Sequence, residues 1–216
     1  MRRLLAVLVV LGFTAGMASA DIIVQYTFGE IGAMTNTPAV VHDDLLSASS
    51  FEVSAGSFTY GTATGTTGGP DAPAIWTGGW SEDENMGQYW GFSVTLQENW
   101  ILDVDSVSWT YRMTTAGPQQ VRVDVWDGED WLTLGTSAVI RDASWQPTLT
   151  IDNNPLASLT GTDGTVDFRL YGYESGGGNW AIDNVTVEGS MIPEPGTMAM
   201  LGLGIGALAL LRRRMK

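Results

Sequence analysis

Apolar and polar side chains alternate at every second residue along most of the middle of this chain. The clearest stretch is residues 120–126, QVRVDVW, which places three valines on one face and charged or amide side chains on the other. Similar runs occur at residues 22–28, where Ile22 shares the apolar face, and at 90–96 and 166–170. A two-residue period indicates half-buried β-strands, and no comparable helical period occurs between the two apolar ends. The sequence therefore predicts an all-β fold.

Two of the predicted strands change phase along their length. In residues 102–113 and 180–187 the apolar side chains switch parity midway, so a β-bulge or short break must absorb each shift. Residues 127–130, DGED, lie between two tryptophans and predict a hairpin turn. We expect eight to ten strands joined by glycine-rich loops. This pattern favours a two-sheet jelly-roll β-sandwich over residues 21–188, between an N-terminal signal helix and a single C-terminal transmembrane helix.

The N-terminus has the three regions of a secretory signal. Arg2 and Arg3 precede an apolar run from residue 4 to residue 17. This run would cover about 21 Å as a helix, short of the roughly 30 Å hydrocarbon core of a bilayer. Small residues then form a cleavage site for signal peptidase. The sequence predicts a signal peptide over residues 1–20 and a mature N-terminus at Asp21, with Ala18 and Ala20 as the small residues of the site.

The C-terminal tail, residues 189–216, is a linker followed by an apolar span at 198–211 and a basic cluster. The basic cluster should stay on the cytoplasmic side of the inner membrane, which makes the span a stop-transfer segment. The tail carries Pro193, Glu194 and Pro195 before the span and three arginines, Arg212 to Arg214, after it. This order resembles the PEP-CTERM sorting signal of exported proteins in Gram-negative bacteria that make exopolysaccharide. The resemblance implies processing by the membrane protease exosortase; a plain single-span anchor is the alternative. The residues that carry it are Pro193, Glu194, Pro195, Arg212, Arg213 and Arg214.

The charge of the body excludes several classes of partner. Of the 24 acidic residues only Glu194 lies outside residues 21–190, and six of the ten basic residues belong to the two ends. The body therefore carries 23 acids against four arginines, a net charge of about −19. Such a domain repels nucleic acid and anionic lipid. The chain has no cysteine and a single histidine, His42, which excludes disulfides, thiolate chemistry and histidine-rich metal sites.

Residues 179–187, NWAIDNVTV, resemble the last strand of bacterial jelly-roll carbohydrate-binding modules. In that family the aspartate of this strand and acidic residues near the N-terminus hold a structural calcium ion. The resemblance implies that Asp183 is a calcium ligand, and Glu30 is the nearest N-terminal candidate for its partner. The alternative is that Asp183 caps a bulge with its own side chain.

The nine tryptophans all lie in the body and suggest where a ligand could bind. Alternation places Trp90, Trp109 and Trp180 in the core, whereas Trp126 has the parity of an outward residue. Exposed indoles can stack on the CH faces of sugar rings. The alternative is that these tryptophans plug the ends of the sandwich. Our candidate ligand-binding residues are Trp76, Trp80, Trp126 and Trp131.

No stretch has the carboxylate spacing of jelly-roll glucanases, in which acids follow a Glu-x-Asp-x-x-Glu pattern on one strand. Asp103 and Asp105 are the nearest pair and lack the third acid. The sequence therefore predicts an exported protein of the cell envelope or extracellular matrix that binds exopolysaccharide or another glycan without catalysis. A structural matrix protein without a ligand and a glycoside hydrolase are the other two hypotheses.

Overall fold

A computed structural model describes residues 20–30, 33–54, 59–62, 73–80, 82 and 87–194. These residues form strands and turns, and none of them lies in a helix. Nine of the sixteen strands have five or more residues. The strands are β1 (Asp21–Tyr26), β2 (Gly29–Glu30), β3 (Ala33–Met34), β4 (Val40–Val41), β5 (Leu45–Ala48), β6 (Glu52–Val53), β7 (Thr59–Thr62), β8 (Pro73–Thr77), β9 (Tyr89–Leu96), β10 (Trp100–Met113), β11 (Gln120–Trp126), β12 (Trp131–Ala138), β13 (Gln146–Ile151), β14 (Leu156–Leu159), β15 (Thr165–Tyr173) and β16 (Trp180–Pro193).

The strands form two antiparallel sheets, and the chain crosses repeatedly from one to the other. The first, which we call sheet 1, has the order β13-β10-β16-β1-β4, with β14 beside β10, β8 beside β16 and β7 beside β8. The second, sheet 2, has the order β12-β11-β15-β9-β5, with β6 beside β9. Strands β2 and β3 form a separate small hairpin. The predicted all-β jelly-roll sandwich is confirmed.

The core between the sheets is built from the side chains that the alternation places inward. In sheet 2, Phe92 of β9 and Phe168 of β15 stack with ring centroids 4.8 Å apart and an interplanar angle of 4°. The three tryptophans predicted to face inward, Trp90, Trp109 and Trp180, are fully buried. Close packing of large aromatic rings on both inner faces provides much of the apolar burial that holds the sheets together.

Both predicted phase changes are bulges in the long central strands of sheet 1. The pairing of β10 with β16 shifts register between Val104 and Ser106, and again between Ser108 and Thr110. Opposite the second shift, Asn184 has a φ of 54°. A third bulge was not predicted: the register of β1 shifts after Ile22, which leaves that side chain 39 % exposed. The inward prediction for Ile22 is therefore wrong.

The hairpin between β11 and β12 has the turn that its sequence predicts. Trp126 and Trp131 are directly opposite one another, and the Asp127 amide donates to the Asp130 carbonyl at 3.1 Å. The Asp127 carboxylate accepts hydrogen bonds from the backbone amides of Asp130 and Glu129, which lower the pKa of Asp127. Gly128 takes the positive φ, 110°, that the turn requires. The acids of this segment therefore shape the turn.

Strand β16 extends the sandwich beyond its predicted end. Ile192 and Pro193 still pair with the start of β10, and the Glu194 amide donates to the Asn99 carbonyl at 2.8 Å. The boundary predicted at residue 188 is thus five residues early, and the linker predicted from residue 189 begins as a strand. The sequence of residues 189–193 shows no alternation, but β10 is long enough to pair with all of it.

The described chain begins beside the C-terminal part of β16, because Asp21 is the pairing partner of Gly189. Among the described residues no helix is long and apolar enough to cross a membrane. The predicted signal helix, apart from Ala20, and the predicted span at residues 198–211 lie outside the described residues.

Candidate functional site

The outer face of sheet 2 has a notch where β9 carries a glycine. Gly91 lies between Glu52 of β6 and Arg169 of β15, its pairing partners on the two sides. A β-carbon at this position would lie 3.0 Å from Cε2 of Tyr89, so any other residue would narrow the notch. The result is an open cavity of about 210 Å³, which we call the Gly91 groove. It is lined by Ser49, Ser50, Glu52, Val53, Ser54, Tyr89, Gly91, Phe92, Ser93, Asp167, Phe168 and Arg169.

The polar side chains of the Gly91 groove carry complementary hydrogen-bonding groups. The Ser93 hydroxyl donates to Oδ1 of Asp167 at 2.5 Å, which holds that carboxylate in place across β9 and β15. Glu52 is exposed at the opposite rim. Together with the Arg169 guanidinium, these groups offer both donors and acceptors to a polyhydroxylated ligand.

Arg169 is held between two aromatic rings. Its guanidinium carbon lies 4.2 Å from the ring centroid of Tyr89 and 3.9 Å from that of Trp131. Trp131 in turn contacts Trp126, with centroids 5.5 Å apart. The Trp126 indole nitrogen donates to the Thr162 hydroxyl at 2.8 Å. The side chains of Tyr89, Arg169, Trp131 and Trp126 form a continuous row, the aromatic strip, from the Gly91 groove to the β11–β12 hairpin. Cation–π contacts keep the arginine ordered.

A buried ion pair lies beside the aromatic strip on the same face. Arg122 and Asp124 are 2.9 Å apart, and the Thr133 hydroxyl donates to Asp124 at 2.9 Å. Asp124 is only 2 % exposed, although its parity in β11 places it on the outer face. Arg122 also lies over the ring of Tyr171, 4.9 Å from its centroid. Long side chains therefore pack on the outside of sheet 2, and alternation alone does not reveal this burial.

The four tryptophans proposed from the sequence do not form one platform. Trp126 and Trp131 lie together in the aromatic strip, whereas Trp76 is on β8, on the outer face of sheet 1. The prediction that Trp80 binds a ligand is wrong, because its side chain is 1 % exposed and packs in the core. Its ring centroid lies 5.0 Å from that of Trp180. Its indole nitrogen donates to the Thr77 carbonyl. Trp80 lies outside any alternating run, so no sequence signal marked it as buried.

Sequence reasoning did not identify Tyr89, Gly91 and Arg169 as functional residues. A usable signal was present, since alternation in β9 and β15 places all three on the outer face of sheet 2. An outward tyrosine two residues before a glycine inside a strand indicates a notch with an aromatic wall. What the sequence did not contain was the pairing of β9 with β6 and β15, which surrounds the glycine with Glu52 and Arg169.

Asp183 lies at the bulge of β16 and is 3 % exposed. Its Oδ1 accepts a hydrogen bond from the Asn184 amide at 2.7 Å, and its Oδ2 accepts one from Asn184 Nδ2 at 2.9 Å. Burial raises the pKa of Asp183 to about 6, and the backbone hydrogen bond from Asn184 opposes this shift. The side chain therefore caps its own bulge, as in the alternative interpretation of its role.

The calcium site proposed for Asp183 and Glu30 stays a prediction. Calcium takes six to eight oxygen ligands, usually from several carboxylates. Within the ranges that the structure describes, no three histidine, cysteine or acidic side chains converge on one point. The backbone of Glu30 belongs to β2, but its side chain is not among the parts that the structure describes. The described residues thus supply one carboxylate, which by itself does not make a calcium site.

The processing sites proposed from the sequence lie partly within the described chain. Ala20 is exposed and Asp21 begins β1, while Ala18 lies outside the described residues. Pro193 is the last residue of β16, and Glu194 follows it directly. The remaining residues of the sorting motif, Pro195, Arg212, Arg213 and Arg214, also lie outside.

Comparison with known structures finds carbohydrate-binding domains of similar architecture at low sequence identity. The CBM22-1 xylan-binding domain of Paenibacillus barcinonensis Xyn10C is 10% identical, with a TM-score of 0.42, and the match covers 79% of this chain and 96% of that one. The CBM22-1–GH10 modules of a Clostridium thermocellum xylanase are 11% identical, with a TM-score of 0.45. That match covers 78% of this chain but only 28% of the xylanase chain. TM-scores below 0.5 do not identify a ligand.

Sequence comparison reaches a more definite result at the C-terminus. No curated protein matches the chain. Residues 192–214 match the PEP-CTERM protein-sorting motif, in agreement with the order of Pro-Glu-Pro, apolar span and arginine cluster in the tail. The matched range begins inside β16, whose last two residues are Ile192 and Pro193. The chain is therefore a β-sandwich that ends in a PEP-CTERM protein-sorting motif, which indicates export and transient anchoring through its C-terminal region.

Proposed function

We propose that this protein is a non-catalytic glycan-binding protein of the cell envelope or extracellular matrix, and that its ligand is exopolysaccharide. The observation that carries the proposal is the Gly91 groove. An aromatic ring, a guanidinium, two carboxylates and several hydroxyls meet there at a notch in an otherwise regular sheet. This mixture of a flat apolar surface and fixed polar groups suits a sugar, which has apolar CH faces and a rim of hydroxyl groups.

The Gly91 groove and the aromatic strip together form a long, open surface. Sugar hydroxyls can donate to Asp167 and Glu52 and accept from Arg169, and hydrogen bonds to charged groups contribute about 1.5–3 kcal/mol each. Because Ser93 and the neighbouring rings already hold Asp167 and Arg169 in place, little side-chain entropy is lost on binding. An open groove of this kind accepts an internal segment of a polysaccharide as well as a chain end.

The sorting motif supports the proposed location in the cell envelope or extracellular matrix. Signal peptidase would cleave before Asp21, and exosortase would process the tail near Pro193-Glu194-Pro195. The basic cluster would hold the tail in the inner membrane until that step. The released sandwich, with its strongly acidic surface, would then remain soluble among matrix polymers.

Filling the Gly91 groove tests the proposal. The exported chain is applied to an array of bacterial exopolysaccharides and plant and microbial glycans, beside the variants Gly91→Val and Tyr89→Ala. Thr148→Val, an exposed position on β13 of the other sheet, is the matched control. We expect the wild type and the control to bind the same glycans, and both groove variants to lose at least tenfold in affinity. Equal binding by all four proteins would refute the assignment of the site.

A hydrolase is the second candidate, because Glu52 and Asp167 line the same groove. Glycosidases use two carboxylates on either side of the scissile bond. Here Asp167 accepts a hydrogen bond from Ser93, and Glu52 is exposed at the rim. We expect no release of reducing ends from any glycan that binds. Release that is lost in Glu52→Gln or Asp167→Asn would replace the binding proposal with a catalytic one.

A further inference from the structure

The outer face of sheet 1 has a trough that is separate from the Gly91 groove. Three neighbouring strands, β8, β16 and β10, place Trp76, Ala181 and Arg112 side by side, because Ala181 pairs with Trp76 on one side and with Arg112 on the other. Alanine has the smallest side chain that a strand can carry besides glycine. The indole and the guanidinium therefore rise as walls above a methyl floor.

Two further residues line the trough beside its two walls. The Asn179 backbone amide donates to the Thr114 hydroxyl at 2.9 Å, which joins the end of β10 to the residues before β16. Both residues line the same cavity as the two walls. The cavity measures about 200 Å³, and we call it the Trp76 trough. The trough is wide enough to hold one sugar ring between its two walls.

Arg112 is positioned for a ligand that carries negative charge. Its Nε donates to the Ala143 carbonyl, which fixes the side chain, and the guanidinium forms one wall of the cavity. Among the described residues no carboxylate lies within ion-pair distance of Arg112, whereas Arg122 pairs with Asp124 at 2.9 Å. Arg141 and Arg169 also have no ion pair with a described carboxylate, but Arg112 alone of these three lines the trough.

We propose that the Trp76 trough binds a pyranose that carries a carboxylate, such as a hexuronic acid residue. The planar guanidinium matches a carboxylate in geometry and charge. The indole of Trp76 offers a flat surface for the CH face of the ring, and Thr114 and Asn179 offer hydrogen-bonding groups for hydroxyls. Binding in this trough does not depend on the Gly91 groove, since the two lie on opposite sheets.

The test compares an acidic probe with a neutral probe of the same size. Calorimetric titration of the full chain in detergent uses trigalacturonic acid and its neutral counterpart galactotriose. We expect the acid to bind at least tenfold more tightly. Arg112→Gln should lose about tenfold in affinity for the acid, and Ala181→Leu, which fills the floor, should abolish binding. Arg141→Gln is the control for loss of one positive charge, because Arg141 donates to the Gly117 carbonyl outside the trough.

Several results would overturn the proposal. These are equal affinity for the two probes, equal loss in Arg112→Gln and Arg141→Gln, or unchanged binding by Ala181→Leu. Thermal melting confirms that each variant is folded. If Ala181→Leu or Arg112→Gln does not fold, Arg112→Lys keeps the charge but loses the planar fork, and it must still weaken binding of the acid. Gly91→Val should leave this binding unchanged, which separates a failure of the trough from a failure of the proposed groove.

Discussion

Replacing Asp183 by asparagine should make the protein more stable at neutral pH and leave its stability unchanged in acid. Asp183 is buried at the β16 bulge, and burial raises its pKa from 3.8 to about 6. The folded state therefore holds the proton more tightly than the unfolded state between these two values. Asparagine has nearly the same shape, is uncharged at every pH and can still accept the hydrogen bond from the Asn184 amide.

The sign and size of the effect follow from proton linkage. Because the pKa of Asp183 is raised in the folded state, its contribution to the free energy of unfolding is fully present below about pH 4. This contribution is lost as the pH rises through 6, because the buried carboxylate must then ionise. A shift of about two units corresponds to at most about 3 kcal/mol, at 1.36 kcal/mol per unit. We therefore expect Asp183→Asn to gain up to about 3 kcal/mol at pH 8 and almost nothing at pH 4. For a domain of this size the gain is about 6–12 °C in Tm.

The assay is urea unfolding of both proteins in a chelating buffer at several pH values from 4 to 8. The difference between the two curves isolates Asp183, because the remaining acids are common to both proteins. Asp152→Asn, an exposed acid after β13, is the matched control for removing one carboxylate from the protein. A difference between Asp183→Asn and wild type that does not change with pH would refute the reasoning.

Thermal melting of both proteins, with millimolar calcium and with chelator, tests the predicted calcium site. A bound cation favours the ionised carboxylate and stabilises the folded state by mass action. If Asp183 is a ligand, calcium should raise the Tm of the wild type and not that of Asp183→Asn. An identical Tm of the wild type with calcium and with chelator would refute the predicted calcium site.

Three further predictions concern the core, the long strand pair and the tail. Trp80→Ala should cost about 3–5 kcal/mol in urea unfolding, because its indole packs against Trp180; a cost below 1 kcal/mol would contradict its place in the core. Gly189→Val would put a β-carbon in steric conflict with the Asp103 carbonyl oxygen, so it should loosen the end of β16 and increase hydrogen exchange at residues 190–193; unchanged exchange would contradict the requirement for glycine at this position. Replacing Pro193-Glu194-Pro195 with alanines should leave the full tail attached in cells with an exosortase, as intact mass would show; equal processing of both forms would exclude the motif as the recognition element.

Much of the fold could be predicted from local patterns. The valines of β11 and the aromatic residues of β9 alternate cleanly, so their burial was predictable. Phase changes in β10 and β16 indicated bulges because a strand cannot keep both halves inward without one. The C-terminal sorting motif could also be recognised, since it depends on a short linear pattern and not on packing; the signal peptide stays a prediction. All of these features depend on neighbours along the chain.

The candidate site depended on neighbours across strands, which only the tertiary structure determines. A groove forms at Gly91 because β6 and β15 pair with β9 on the two sides of this residue. Trp76 is separated from Trp126 because β8 pairs with β16 in the opposite sheet. The sandwich ends at Pro193 and not at the predicted residue 188, because the length of β10, and not the sequence of β16, determines where their pairing stops. Partners distant in sequence decide burial, exposure and the meeting of functional groups, and a local pattern contains no information about them.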